Sequence, residues 1–312
     1  MNQLNHTIND YLNYCENRKR LNSHTLKAYH FDLKQFANFI SDLSPADVET
    51  ETLEKYIEHL IKSYKTKTVK RKLASVRAFF HYMYYKNIIE INPFHKLQLH
   101  FREESVLPKT IPMHTIETLF SAMYQKKAAA ATAFQKMTAT RDIAILETLF
   151  ATGIRISELC SLTLQTVNLI EQNIRIHGKG NKERIIQIEN DDVLAILKEY
   201  LSYRNSLNPD TSYFFINRYQ KGLSEQSVRK MIHQTSKDAA IEQNITPHMF
   251  RHSFATYLLD ENVDIRYIQE LLGHSSISVT QIYTHVSTAK QKEILEKKHP
   301  RNRMRVFGND NC

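Results

Sequence analysis

The sequence predicts a mainly helical chain with one small β-sheet, arranged as an all-helical first domain and an α+β second domain. Three observations carry this. Glycine and proline are scarce, 6 and 7 in 312 residues, which leaves few tight turns. Apolar residues recur at helical spacing along most of the chain. One stretch breaks that rule: NIRIHGKGNKERIIQI, residues 173–188, alternates apolar and polar residues on both sides of a glycine-containing turn, the pattern of a hairpin.

The first domain is expected over residues 1–100. Ser23 stands where a helix N-cap should, and Tyr29, Leu33, Phe36 and Ile40 follow at helical spacing. A second helix is expected from Glu49 to Ser63. A third runs from Thr68 to Tyr85, with Val69, Leu73, Val76, Phe79, Phe80 and Met83 on its apolar face. Asn92-Pro93 ends this bundle. FHKLQLHFREESVLPKTIP, with two prolines and no clear period, reads as an interdomain linker, bounded at residues 101–112. The second domain is expected over residues 113–312. MHTIETLFSAM is a short helix, and the alanine-rich KKAAAATAFQKMTAT is either helix or a mobile insertion. The apolar run from Asp142 to Ala151 is a helix that Gly153 stops. Beyond the hairpin, helical pattern returns at Asp191–Tyr203, Ser224–Ala240, Met249–Glu261, Ile265–Leu272 and Ser287–Lys297. The tail RNRMRVFGNDNC is either a docking segment or a frayed end.

Composition narrows the function classes. No run approaches the roughly 18 apolar residues of a membrane span, and the polar start lacks a signal peptide's apolar stretch. Three cysteines, Cys15, Cys160 and Cys312, lie too far apart for a disulfide framework or zinc site. A reducing cytoplasm is the expected location. Lys plus Arg is 42 against 33 Asp plus Glu, a net charge of +9, which suits an anionic partner such as nucleic acid. Between His59 and Ile89 there is no acid, yet the stretch holds Lys62, Lys65, Lys67, Lys70, Arg71, Lys72, Arg77 and Lys86. A solvated helix face would explain some of these charges. The length of the acid-free stretch favours phosphate contact, with Lys65, Lys67, Lys70, Arg71, Lys72 and Arg77 as the candidates.

Four short stretches of the second domain carry chemistry. ATGIRISEL puts Arg155 after a buried helix and a glycine, with Glu158 three residues on as a pairing partner. GKGNKER puts Lys179 at the hairpin tip, with Lys182 and Arg184 beside it. HMFRH gives His248 and Arg251, and LLGHSSISVTQIYTHV gives His274 and Tyr283. Each alone has a plain structural explanation: an ion pair, an exposed lysine, a helix cap, a packing tyrosine. His248 and His252 also have metal-ligand spacing, but no carboxylate completes a set and the Glu of H-E-x-x-H is missing. Together the residues form a coherent phosphoryl-transfer set. Two arginines can clamp non-bridging phosphate oxygens through paired N–H donors and stabilise the charge that grows at phosphorus. A lysine can protonate a leaving alkoxide. A histidine and the surrounding positive charge can activate a phenol.

The order Arg, Lys, His-x-x-Arg, His, Tyr resembles the signature of the tyrosine recombinase (phage integrase) family, in its Xer-like or mobile-element members. TGIRISEL, GKGNKER, HMFRHSFAT and LLGHSSISVTQIYTH are similar to that family's boxes in order and approximate spacing. The first domain is similar to the family's helical core-binding domain, of SAM-like type. By this resemblance Arg155 and Arg251 are the phosphate-binding arginines and Lys179 is the general acid, with Lys182 as the alternative. His248 accepts the tyrosine proton, His274 binds the scissile phosphate and Tyr283 is the nucleophile. Lys182 and Arg184 are further phosphate contacts, and Glu158 positions Arg155.

The resemblance implies a site-specific recombinase that closes around double-stranded DNA and works through a 3′-phosphotyrosyl intermediate and a Holliday junction. It implies a homo- or heterotetramer on paired sites, without metal, ATP or other cofactor, associated with the nucleoid. An accessory directionality protein is left open as a further partner. Three other readings stay open at this point: a type IB topoisomerase-like relaxing enzyme, a catalytically silent DNA-binding protein, and a metallohydrolase using His248 and His252.

Overall fold

Most of the chain is helical because apolar residues return every third or fourth position, and each helix buries that stripe against its neighbours. The computed structural model describes residues 3–41, 43–98, 101, 109–178, 183–261, 263–273 and 288–304. The chain divides into two compact units, residues 1–106 and 107–312.

Among its described residues the first unit holds four α-helices: α1 (Gln3–Asn17), α2 (Ser23–Ile40), α3 (Thr50–Ser63) and α4 (Thr66–Tyr85). Helix α1 is an addition to the three expected from sequence. Its composition is polar, but Leu4, Ile8, Tyr11 and Cys15 form a buried helical stripe. Helix α2 is capped by Asn22 rather than Ser23. The Asn22 side chain accepts from the Thr25 N–H at 2.9 Å, while Ser23 is the first helical residue. Phe36, Tyr56 and Phe80 pack edge to face at the centre, with ring centroids 5.0 and 5.7 Å apart.

The second unit opens with α5 (Met113–Ala128) and α6 (Ala133–Thr152). The alanine-rich segment is therefore the end of one helix, a short turn and the start of the next. Thr132 and Gln135 form a capping box across that turn. Helix α6 ends at Gly153, whose φ of 61° is left-handed. Then follow α7 (Ile156–Ser161) and a three-stranded antiparallel sheet in the order β1 (Val167–Asn168), β2 (Asn173–His177), β3 (Glu183–Gln187). In the hairpin, Asn173 pairs with Gln187 and His177 with Glu183. Helices α8 (Asp191–Ser206), α9 (Glu225–Asp238), α10 (Pro247–Asp260), α11 (Ile265–Leu272) and α12 (Thr288–Lys298) follow. The core lies around α6, where every residue from Ile143 to Thr152 is buried.

Two stretches read from sequence as loose are held at defined points. At the start of the supposed linker, Phe94 and Leu97 are buried in the first unit's core. At its end, Ile111 is fully buried in the second unit. The Ile111 N–H donates to Ser253 Oγ at 2.8 Å, and its carbonyl accepts from the Tyr257 hydroxyl at 2.7 Å. The C-terminal stretch is also docked rather than frayed as far as residue 304. His299 and Arg301 are buried, and Arg301 Nε sits 2.9 Å from Glu147 Oε2 in the middle of α6.

Candidate active site

Helix α11 ends at Gly273, a left-handed residue with φ 64°. The last carbonyls of a helix have no partner within it. Here three consecutive ones each accept from a different arginine. Leu271 O takes the N–H of Arg184 Nε at 2.9 Å, Leu272 O takes Arg251 Nη2 at 2.6 Å, and Gly273 O takes Arg155 Nη2 at 3.4 Å. The three arginines come from β3, α10 and the residue that precedes α7, so tertiary packing alone brings them together.

Arg155 sits at the N-cap of α7 with extended backbone. Its own N–H donates to Glu158 Oε2 at 2.8 Å and its Nη1 donates to Glu158 Oε1 at 2.9 Å. The Arg155 side chain stays 35% exposed, so part of the guanidinium faces solvent. Arg251 is the opposite case, 4% exposed. Its second bond, from Nη1 to Gly153 O at 2.8 Å, ties α10 to the end of α6. Burial, and then the positive charge of Arg155, lowers the Arg251 pKa to about 10. Glu158 is the site's counter-charge. Burial would raise its pKa, but hydrogen bonds from Arg184 and Arg155 outweigh that and hold it below the ordinary glutamate range.

Arg184, expected as a phosphate contact, has a side chain 12% exposed, and each of its three guanidinium nitrogens donates within the protein. Besides Leu271 O, it reaches both Glu158 oxygens at 3.1 and 2.8 Å. Glu158 stands where sequence placed it, against Arg155, but it also binds Arg184, a partner that its spacing did not suggest.

His248 is exposed near the start of α10. It lines a cleft with Ile156 from α7, Arg229 and His233 from α9, and Asn244 to Pro247. The His252 pKa is lowered by partial burial and then by His248 and Arg251. Among the described residues, no group of three or more His, Cys, Asp or Glu is placed to hold a metal ion. Lys179, Lys182, His274 and Tyr283 lie outside the described residues.

On α4 of the first unit, Lys67, Arg71 and Arg77 are exposed, as is Lys65 at its N-cap, and Lys70 is partly so. Lys67, Arg71 and Ala74 share one face by helical spacing. Lys72 corrects the expectation. It is 7% exposed, and its ammonium meets Asp32 Oδ1 at 3.0 Å and Gln35 Oε1 at 2.6 Å. Asp32, itself buried, also accepts from Ser75 at 2.8 Å and from the Arg71 guanidinium. The lysine's charge is thus answered inside the bundle, and Arg71 is anchored at one edge while half its side chain stays in solvent.

The Phage integrase family profile matches residues 115–290, and its N-terminal SAM-like domain matches residues 8–87. The chain is 55% identical to a tyrosine recombinase of Agathobacter rectalis over 301 residues, 96% of this chain and 98% of the relative. The chain belongs to the phage integrase family of tyrosine recombinases. Within that family it is 38% identical to tyrosine recombinase XerC of Thermodesulfovibrio yellowstonii, across 94% of this chain and 96% of that one. It is 35% identical to tyrosine recombinase XerD of Listeria innocua, across 96% of this chain and all of that one. Two solved tyrosine recombinases share the fold. One is XerH bound to a palindromic difH substrate in a post-cleavage complex (TM-score 0.70, 20% identity, 95% of this chain and 81% of that chain). The other is a lambda integrase dimer bound to a COC′ core site (TM-score 0.69, 16% identity, 91% and 99%). Both the helical content with one small sheet and the Xer-like resemblance expected from sequence are borne out.

Proposed function

We propose that this tyrosine recombinase is a site-specific DNA recombinase whose nucleophile is Tyr283, with Arg155 and Arg251 as the phosphate clamp. The observation that supports the reading is the convergence of Arg155 and Arg251 on the carbonyls that end α11, directly before His274 in sequence. Two guanidiniums held at fixed separation present N–H donors to one phosphate and stabilise its charge as phosphorus becomes five-coordinate.

The Tyr283 hydroxyl attacks the scissile phosphorus and loses its proton to His248. The bond to the 5′ oxygen breaks, and Lys179, with Lys182 as the alternative, protonates that oxygen. The products are a 3′-phosphotyrosyl link and a free 5′-hydroxyl. A partner strand's 5′-hydroxyl then attacks the phosphotyrosine and releases the tyrosine. The phosphodiester's energy is kept in the link, so the chemistry needs no nucleotide. His274 binds the phosphate beside the arginines.

Residues 1–100 would form the core-binding domain and residues 113–312 the catalytic domain. Lys65, Lys67, Lys70, Arg71 and Arg77 would line the duplex through phosphate contacts, which position without reading sequence. A solved lambda integrase tetramer is bound to a Holliday junction. For this chain we propose a homo- or heterotetramer on paired sites, with an accessory directionality protein as an optional partner, working at the nucleoid. No helix among the described residues is long and apolar enough to cross a membrane.

The test uses a duplex carrying a candidate site from DNA flanking the gene, nicked so that the short cleaved fragment diffuses away. Wild type and Tyr283→Phe are compared on a denaturing gel, with and without EDTA. A protein–DNA band from wild type alone is the expected result. Binding without any adduct points to a silent DNA-binding protein. A band that EDTA abolishes points to metal chemistry. Supercoil relaxation without strand exchange points to a topoisomerase.

A further inference from the structure

We infer that Arg184 is a positioning residue: by occupying Glu158 and the end of α11, it keeps the Arg155 guanidinium available to the scissile phosphate. The inference rests on the reading of Arg155 as a phosphate clamp.

A carboxylate has about four acceptor positions, and those of Glu158 are all taken. Arg155 fills two, through its backbone N–H on Oε2 and its Nη1 on Oε1. Arg184 fills the other two, through Nη1 on Oε1 at 3.1 Å and Nη2 on Oε2 at 2.8 Å. Arginine and carboxylate favour a fork of two parallel bonds. Glu158 makes that fork with Arg184, and gives Arg155 one guanidinium bond. The Arg155 side chain consequently keeps a free edge, at 35% exposure against 12% for Arg184. Without Arg184, two acceptor positions of a buried carboxylate would open beside Arg155. The nearest guanidinium would turn into them and away from solvent.

Arg184 also spans elements. It stands on β3, five residues after Lys179 in sequence, and its Nε donates to Leu271 O at 2.9 Å. Its guanidinium lies so close over Gly273 that a Cβ there would come within 2.9 Å of Nη1. One side chain thus joins the hairpin, the Arg155–Glu158 pair and the last turn before His274. Lysine at this position has no fork and cannot reach both partners at once.

The experiment measures single-turnover cleavage of the nicked duplex at saturating DNA, and DNA affinity across a salt series. It uses full-length wild type, Arg184→Gln, Glu158→Gln and the double variant, with Arg155→Gln as control. Arg184→Gln is expected to cleave roughly tenfold or more slowly, the usual scale for an orienting partner, with affinity and salt slope unchanged. On the Glu158→Gln background the same change is expected to cost much less, since the amide no longer captures Arg155. A salt slope reduced by about 1 would instead mark Arg184 as a direct phosphate contact and overturn the inference. So would unaltered cleavage, or losses that simply multiply in the double variant. If Arg184→Gln does not fold by circular dichroism, Arg184→Lys is read in its place, with the same expectations. Should wild type itself form no adduct, or Arg155→Gln cleave normally, the clamp reading fails, a result distinct from failure of the Arg184 inference alone.

Discussion

Arg251 donates to the carbonyl of Gly153 at 2.8 Å, so a buried guanidinium is held by the residue that ends α6, the helix at the core of the second unit. Gly153 has φ 61°, and a Cβ there would stand 2.5 Å from Phe254 Cδ1 and 2.8 Å from Leu272 Cδ2. Left-handed backbone costs a residue with a Cβ about 1–2 kcal/mol, and overpacking a core about 1–3 kcal/mol. Gly153→Ala is expected to lose about 2–5 kcal/mol of stability. Urea denaturation measures it, and a change below 1 kcal/mol would mean that the site relaxes freely.

Glu158 makes stability depend on acid. Its folded pKa lies below the ordinary 4.5 because the bonds from Arg184 and Arg155 outweigh burial. Its contribution is full above 4.5 and is lost as pH falls through the lower folded value. Glu158→Gln is expected to be less stable at neutral pH and to lose less on acidification below 4.5. Urea midpoints of both proteins across that range are the check. Parallel curves would contradict the pairing.

His299 works in a higher window. It is buried and neutral: Nδ1 accepts from the Arg301 N–H at 2.9 Å, so Nε2 carries the proton towards Ala151 O at 2.8 Å. Burial lowers its pKa from 6.5 to about 4. Below pH 6.5 the unfolded chain takes up a proton that the folded chain refuses until about pH 4. Stability from this group is therefore unaffected above 6.5 and falls by about 3 kcal/mol between 6.5 and 4. His299→Gln is expected to show a shallower slope between pH 6.5 and 5 than wild type in the same denaturation series.

The Glu147–Arg301 pair holds the C-terminal stretch against α6. Glu147 is fully buried, and its pKa is pushed up by burial against the pull of Arg301. The Tyr124 hydroxyl donates to the same carboxylate at 3.1 Å. Breaking such a pair from one side costs about 3–5 kcal/mol, because a buried charge is left alone. Arg301→Met is expected to fall in that range by equilibrium unfolding. The double variant with Glu147→Leu should be more stable than Arg301→Met alone.

Local pattern revealed most of the second unit's helices, the hairpin and the stop at Gly153, since periodicity and glycine placement are written in neighbouring residues; the short α7 and β1 were not read. Helix α1 was also readable: Leu4, Ile8, Tyr11 and Cys15 keep helical spacing beneath an asparagine-rich surface, and that stripe was the signal to follow. Long-range pairings were not readable. Nothing near Lys72 points to Asp32, 40 residues away, so an acid-free stretch looked wholly available to phosphate. The Arg155–Glu158 pair is visible at a spacing of three, but Arg184 reaches Glu158 from 26 residues on and Leu271 from 87. Only the packed sheet and α11 make it a partner of that pair.

The central claim concerns one oxygen. The trapped protein–DNA adduct should be digested with nuclease and trypsin and the nucleotide-bearing peptide sequenced by mass spectrometry. Cleavage after Arg266 and Lys290 gives a peptide holding two tyrosines, Tyr267 and Tyr283. The account predicts the phosphonucleotide on Tyr283 alone. A label on Tyr267, or on a peptide from elsewhere in the chain, would contradict it.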